Sequence, residues 1–239
     1  MHRYLAEDAK VRKWLPRTSA FNKTNLTRMA QKHGTVYVKP DIGSLGLGIY
    51  RVRRASGRYR LRSSGGQTAA FADPDALYRY LRRRGSDRRI VQQGIALEKV
   101  NGRTYDIRSM MQRKRGGPWT LTGIFAKVGK PGRIVNNYAR GGRIVLLNRL
   151  FRDLGLPRSR RRKRLAQLTG ASYRIARVLS ARKAGMYEMG IDFAYDLGGR
   201  LRVLEVNSRH PQFYPLKNIS PSMYDRMMRY ARSIGRTNP

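Results

Sequence analysis

Cysteine is absent from the 239 residues, which excludes disulfide scaffolds, thiol catalysis and cysteine-ligated zinc. Histidine is nearly absent. His2, His33 and His210 are scattered along the chain, so a His-rich metal site is not expected. No run approaches the roughly 18 apolar residues of a membrane-spanning helix, and the opening Met1–Asp8 segment has no apolar h-region, so neither a span nor a secretory signal is expected. Acid is scarce: 14 Asp and Glu stand against 52 Lys and Arg, a net charge of +38. Such a surface attracts polyanions, whether nucleic acid, anionic lipid, acidic polymers or nucleotides. It also makes each acid informative. Hydrophobic content is ordinary at 40%, and the length suffices for one large domain or two small ones.

Three of the acids, Asp192, Asp196 and Glu205, fall in the stretch Gly190–Asn207, which reads as two strands joined at Gly198-Gly199. Glycine pairs suit two-residue hairpin loops, whose turns need positive φ. With that loop, Leu197 faces Arg200 and Asp192 faces Glu205. Alternation then places Glu205 and Asn207 on one face. Two carboxylates and an amide carbonyl converge on one patch, with opposed Cβ atoms about 4.5–5.5 Å apart. Facing carboxylates are destabilising unless neutralised. Two readings remain open: a cation held by oxygen ligands of the kind that suit Mg²⁺, or a surface hairpin whose acids pair with neighbouring arginines.

Upstream, Asn22–His33 reads as a helix, with Leu26, Met29 and Ala30 inward and Gly34 at its C′ position. Thr35–Pro40 is β-rich. The loop after it carries Gly43, Gly46 and Gly48 and is followed by a second strand. Such a loop lets backbone N–H groups approach an anion; the bland reading is a flexible hairpin turn. It is not a Walker loop, because Gly-Lys-Ser/Thr is missing and no helix follows. Lys39 ends the preceding strand and can add a point charge for the same phosphates. Arg58–Ser63 is a third strand, and Asp73-Pro74 opens a helix. Arg89–Leu97 is a strand running into a linker. Thr104–Gln112 and Trp119–Val128 form a hairpin in which Asp106 and Arg108 share a face. Arg108 and Lys127 are either ordinary charged strand residues or a pair of cations aimed at phosphate. The basic run Arg158–Arg164 reads as the solvated start of a helix rather than a nucleic-acid footprint. Leu168, Ile175 and Leu179 point inward from that helix. A last helix begins at Ser220-Pro221.

Taken in order, these segments resemble something specific. Val38-Lys39-Pro40 with Gly43–Gly48, Val91–Ile95, Asp106-Ile107-Arg108, Asn137–Gly142, Gly190-Ile191-Asp192 and Leu204–Asn207 resemble the motifs of the ATP-grasp superfamily, and within it the YheC/YheD family of endospore coat-associated proteins. The resemblance runs from about Leu15 to Leu216. It implies an α+β ATP-grasp fold: two α+β subdomains with mainly antiparallel sheets clamping ATP, without the N-terminal domain that usually precedes them. The expected division is a lead-in over 1–34, a small subdomain over 35–97 and a large one over 98–239.

The resemblance further implies roles. Lys39 contacts the α/β-phosphates. Gly43, Ser44, Leu45 and Gly46 close over the β/γ-phosphates. Gln92, Gln93 and Ile95 read the adenine edge, with Glu98 on the ribose. Asp192, Glu205 and Asn207 hold one or two Mg²⁺, with Mn²⁺ an alternative. Arg108 and Lys127 face the transferred phosphoryl group, and Asn137 helps hold phosphate or metal. In most members a carboxylate attacks the γ-phosphate and an amine or thiol captures the acyl phosphate. The implied function is therefore an ATP-dependent carboxylate–amine ligase of unknown acid and amine, mother-cell cytoplasmic or spore coat-associated. The alternatives are a catalytically silent nucleotide-binding coat protein and a polyanion- or nucleic-acid-binding basic protein.

Overall fold

A computed structural model describes residues 2–41, 46–84, 88–132, 134, 136 and 141–238. In chain order its elements are α1 (His2–Glu7), α2 (Ala9–Arg12), β1 (Thr18–Ala20), α3 (Lys23–His33), β2 (Thr35–Pro40), β3 (Tyr50–Ala55), β4 (Arg58–Ser63), β5 (Thr68–Phe71), α4 (Pro74–Arg82) and β6 (Arg89–Gln93). They continue as β7 (Lys99–Val100), β8 (Arg103–Gln112), β9 (Thr120–Val128), β10 (Arg143–Leu146), α5 (Leu147–Asp153), α6 (Arg158–Arg182), β11 (Glu188–Tyr195), β12 (Leu201–Asn207), α7 (Leu216–Ile219) and α8 (Pro221–Arg232).

The chain divides into two units: Met1–Leu15 with Leu97–Val128 and Arg143–Pro239, and Pro16–Ala96 with Gly129–Gly142. The lead-in expected over 1–34 is thus split. Its first helices belong to the larger unit and α3 to the smaller.

In the smaller unit, six antiparallel strands run in the order β1-β6-β2-β3-β4-β5. Val36, Val38, Val52, Leu61 and Val91 point to one face and meet Leu26, Met29 and Ala30 of α3 and Leu77 and Leu81 of α4. Asn22 caps α3 by accepting from Asn25 N, and Gly34 ends it at φ 66°. Asp73 caps α4 by accepting from Ala76 N, with proline following. At the end of β6, Gly94 N donates to Thr35 O. A Cβ on Gly94 would stand 2.6 Å from Thr35 Cγ2 and 2.9 Å from its carbonyl oxygen.

In the larger unit the order is β10-β9-β8-β11-β12, with β7 on β8. Ile107, Met111, Ile191 and Phe193 share a core with Leu168, Ile175 and Leu179 of α6. On the opposite face, Met110 and Phe125 pack with Met227 and Met228 of α8. The basic run is the first two turns of α6, as expected for a solvated helix start, except that Arg164 is buried. No helix among the described residues is long and apolar enough to cross a membrane.

Gly94→Ala is expected to destabilise the protein by about 1–3 kcal/mol, because the methyl meets backbone that cannot yield like a side-chain tip. The shift in the urea unfolding midpoint measures it.

Candidate functional site

Three strands supply one row of charge. Asp192 of β11 is paired with Glu205 of β12 on one side and with Arg108 of β8 on the other. One step along, Asp106 is paired with Lys127 of β9. Directly opposed residues share a face, so five charged side chains from four strands meet on one face of the sheet.

The Asp192–Glu205 pairing is the one expected from sequence, but the route to it differs. The loop is Leu197–Gly199, closed by Asp196 N donating to Arg200 O, rather than Gly198-Gly199. Only Gly199 has positive φ, at 72°. This is the three-residue type of hairpin loop, with glycine in the left-handed position. Asp196 favours it: its Oδ1 accepts from Gly198 N and Arg200 N, each at 3.0 Å. The turn therefore shifts the pairing by one residue. A bulge between Asp192 and Phe193 then shifts it back, since Phe193 pairs with Val203 and Leu204 is the extra residue.

Arg108 grips Asp192 with two parallel bonds, Nε to Oδ1 at 2.8 Å and Nη2 to Oδ2 at 2.6 Å. Lys127 Nζ lies 3.1 Å from Asp192 Oδ2 and 2.8 Å from Asp106 Oδ1. The second approach is ionic and poorly directed, for Asp106 Oδ1 is buried without a hydrogen bond of good geometry. With its amide turned so that both ends are satisfied, Asn207 donates to Glu205 Oε1 at 3.3 Å and accepts from Arg108 at 3.0 Å. Gly190 makes room: a Cβ there would lie 3.2 Å from Arg108 Nε and 2.9 Å from Pro211 Cβ.

Burial pushes both aspartates up, with opposite outcomes. For Asp192 the charges of Arg108 and Lys127 and their hydrogen bonds outweigh burial and hold it down at about 2. For Asp106 burial wins, helped by the charge of Asp192, and the carboxyl rises to about 6 despite Lys127. Three acids face two bases, so the fully ionised cluster keeps an excess negative charge in a chain of net +38. Glu205 is its exposed member. The oxygen chemistry of Glu205 and Asn207 beside Asp192 suits a hard cation. No group of three or more Asp, Glu, His or Cys among the described residues is arranged to hold a metal unaided, so a cation here needs oxygens from a ligand as well.

The other expected residues are placed as follows. Lys39 lies at the end of β2, half-buried, opposite Ile90. Gly46 and Gly48 have left-handed φ of 69° and 66°, but Gly43, Ser44, Leu45 and Asn137 fall outside the described residues. Gln92 donates to Thr18 Oγ1 at 3.1 Å, Gln93 Oε1 accepts from Arg17 N at 3.3 Å, and Ile95 is half-buried. Glu98 accepts from both Arg164 Nη groups, at 2.7 and 2.9 Å, and from the Tyr105 hydroxyl. Burial pushes the Glu98 carboxyl up, but those bonds and the Arg164 charge hold it below the ordinary glutamate range. Sequence reasoning assigned Asp106 no role, although its alternation with Arg108 on one face was the available signal.

An α+β molecule of two antiparallel-sheet units with this acid–base row has the fold of the ATP-grasp proteins. A crystal structure of the C-terminal domain of K. lactis Pby1, described as an ATP-grasp enzyme interacting with the mRNA decapping enzyme Dcp2, matches over 100% of this chain and 72% of that one, with a TM-score of 0.53 and 14% identity. More narrowly, the YheC/D-like ATP-grasp family profile matches residues 1–234, and the chain belongs to that family. It is 26% identical over 234 residues to endospore coat-associated protein YheD of Bacillus subtilis (strain 168), covering 92% of this chain and 51% of that protein. To endospore coat-associated protein YheC of the same organism it is 18% identical over 228 residues, covering 93% and 62%. The chain thus spans between half and two thirds of the length of these curated relatives.

Arg108→Ala is expected to cost about 3–5 kcal/mol in urea unfolding, because it removes the bidentate partner of the buried Asp192 and leaves that charge to Lys127 alone. Glu205→Gln, at an exposed position, stays within about 0.5 kcal/mol. The Glu98 ion pair has its own pH signature. Its folded carboxyl titrates below the unfolded one, so its stabilisation is complete above the ordinary pKa of about 4.3 and lost as pH falls through the lower folded value. The stability gap between the native protein and Glu98→Gln should be constant from about pH 6 to 8 and close below about pH 4, read from thermal midpoints.

Proposed function

We propose that this chain binds ATP with Mg²⁺ and acts as a carboxylate–amine ligase through an acyl phosphate, in the setting of the spore coat. The observation that carries the reading is the row Glu205–Asp192–Arg108 with Lys127, Asp106 and Asn207 beside it. The spore-coat setting follows the printed names of the two Bacillus subtilis relatives.

The chain's own residues would work as follows. Arg108 and Lys127 hold Asp192 ionised at any physiological pH, so it remains a charged oxygen donor. They also keep two cations preorganised for the charge that develops on a transferred phosphoryl group, which is where phosphoryl transfer gains most. Asp192, Glu205 and Asn207 would hold Mg²⁺ or Mn²⁺, and the ion would supply charge neutralisation to the phosphates. Lys39 would contact the α/β-phosphates, with Gly43, Ser44, Leu45 and Gly46 over the β/γ-phosphates and Asn137 helping. Gln92, Gln93 and Ile95 would read the adenine edge. Glu98 would have to receive a ribose hydroxyl on a carboxylate already bonded to Arg164 and Tyr105. In the reaction a substrate carboxylate oxygen bonds to the γ-phosphorus as the bond to ADP breaks. An amine then takes the acyl carbon, releasing phosphate and a proton.

Calorimetric titration of ATP at raised salt, with and without Mg²⁺, tests the reading. One-site binding that requires Mg²⁺ and weakens at least tenfold in Glu205→Gln is expected. Binding that ignores the metal, ignores the substitution and fades with salt would contradict it and favour a general polyanion binder. Release of ADP in a screen of acid and amine pairs then separates a ligase from a catalytically silent nucleotide-binding protein.

A further inference from the structure

We propose that the larger unit carries, at the hairpin end of its sheet, a binding site for single-stranded nucleic acid. The proposal goes beyond the nucleotide reading and does not depend on it.

Strands β8 and β9 are joined by residues 113–119, which begin with Arg113, Lys114 and Arg115. This end of the sheet presents charge on two sides. Gln112 and Thr120, a directly opposed pair, face α8: Gln112 Nε2 donates to Met227 O at 3.1 Å, and the Tyr230 hydroxyl donates to Thr120 Oγ1 at 3.2 Å. The residues just beyond them, Arg113 and Trp119, face the other way, where Trp119 Nε1 donates to Ser180 Oγ of α6 at 3.1 Å.

On the α8 side lies an open cleft of about 740 Å³, lined by Lys114, Arg226, Arg229, Arg232, Tyr230 and Ser233. No acid lines it. Glu188, at the adjoining end of β11, is buried and paired with Arg236 at 2.8 Å, and Asp225 of α8 is not part of the lining. The four cations are exposed, and none of them ion-pairs with an acid among the described residues. Arg226, Arg229 and Arg232 recur every three residues, a spacing at which like charges repel. Packing fixes the wall that carries them. Gly123 lets α8 lie close on β9, where a Cβ would stand 2.2 Å from Met227 Cε. The helix arginines are thus anchored on a rigid support.

On the α6 side the cations are stacked on rings. The Arg113 guanidinium lies 4.8 Å from the Trp119 ring centroid and 5.7 Å from that of Tyr187, and Arg115 lies 5.5 Å from Tyr187. A bond from Arg113 Nε to Met186 O at 2.8 Å holds the stack.

Cations interleaved with aromatic rings and guanidinium planes suit a single strand, because charge meets the phosphates and flat faces meet the bases. An acidic peptide would use the charge alone. The two sets of groups lie on opposite faces, so one ligand reaches both only by bending over residues 113–119. A single strand bends there, whereas a duplex, stiff over about 150 bp, does not. The dipole of α8 accounts for Arg229 and Arg232 in its last turn, but not for Arg226, Lys114 or the stacked arginines. Lys114 is six residues beyond Arg108, about 20 Å along the strand direction, so this site shares no cation with the Asp192 row.

Fluorescence anisotropy of the full chain with a labelled thymidine 12-mer, across a salt series, is the test. The comparison probes are an abasic strand, a hairpin duplex and a polyglutamate peptide, each of equal charge. The thymidine strand should bind several-fold tighter than all three. Lys114→Gln/Arg229→Gln should weaken it at least fivefold and lower the slope of log affinity against log salt by about 1.4, two phosphate contacts at about 0.7 each. Its ATP titration and melting midpoint should match those of the native chain. Arg162→Gln/Lys163→Gln removes the same charge from the exposed start of α6 and should leave affinity within twofold and the slope unchanged. Equal or tighter binding of any comparison probe, equal losses in the two double variants, a matching loss of ATP affinity, or no effect of the first variant would overturn the proposal.

Discussion

A single buried carboxylate sets the terms for the larger unit. Asp192 is taken out of water in the middle of a sheet, and burial alone would neutralise it. Arg108 from one neighbouring strand and Lys127 from the strand beyond keep it charged. That arrangement requires three strands in fixed register, a glycine at position 190 so the guanidinium can cross β11, and a bulge that brings Glu205 opposite. The sheet's other face supplies the rigidity, because β11 is buried on both sides and anchored on α6. Stability and chemistry therefore depend on the same contacts here. A break in the charge row would be felt as unfolding before it could be read as loss of binding.

The two acids of the row divide their work through environment. Asp192 is pinned ionised by two cations, whereas at Asp106 burial, with the repulsion of Asp192, outweighs Lys127 and lifts the carboxyl to about 6. Glu205 is the exposed member of the row. The graded set of one locked, one softened and one exposed acid leaves the exposed edge with the most negative character. A phosphate-bound cation would meet the cluster at that edge.

Much of this was legible in the sequence, for identifiable reasons. Helix α3 could be read from Asn22 and Gly34, because capping is local chemistry, and β2 from its β-branched alternation. The facing of Asp192 and Glu205 came out correctly although the turn did not. Two glycines suggested a two-residue loop, but the Asp196 side chain selects a three-residue one, and the bulge at Leu204 cancels the shift. No local rule announces such a bulge. Strands β5 and β10 and helix α5 escaped because they are short, and Thr68–Phe71 has too little alternation to stand out from the glycines before it. The split of residues 1–34 between units, and the burial of Arg164 within a basic run, come from contacts with Glu98 and α6 that are distant in sequence.

The central claim is that the Asp192–Glu205–Asn207 cluster becomes a cation site when phosphate oxygens complete it. Electron paramagnetic resonance of Mn²⁺ addresses this directly, because free and bound ions give distinct signals. The account predicts that protein alone leaves most of the Mn²⁺ signal free, that ATP and protein together quench it well beyond ATP alone, and that Glu205→Gln, which leaves the buried pairs intact, removes most of the excess. Full Mn²⁺ uptake without nucleotide, or a signal with ATP that the protein does not alter, would contradict it.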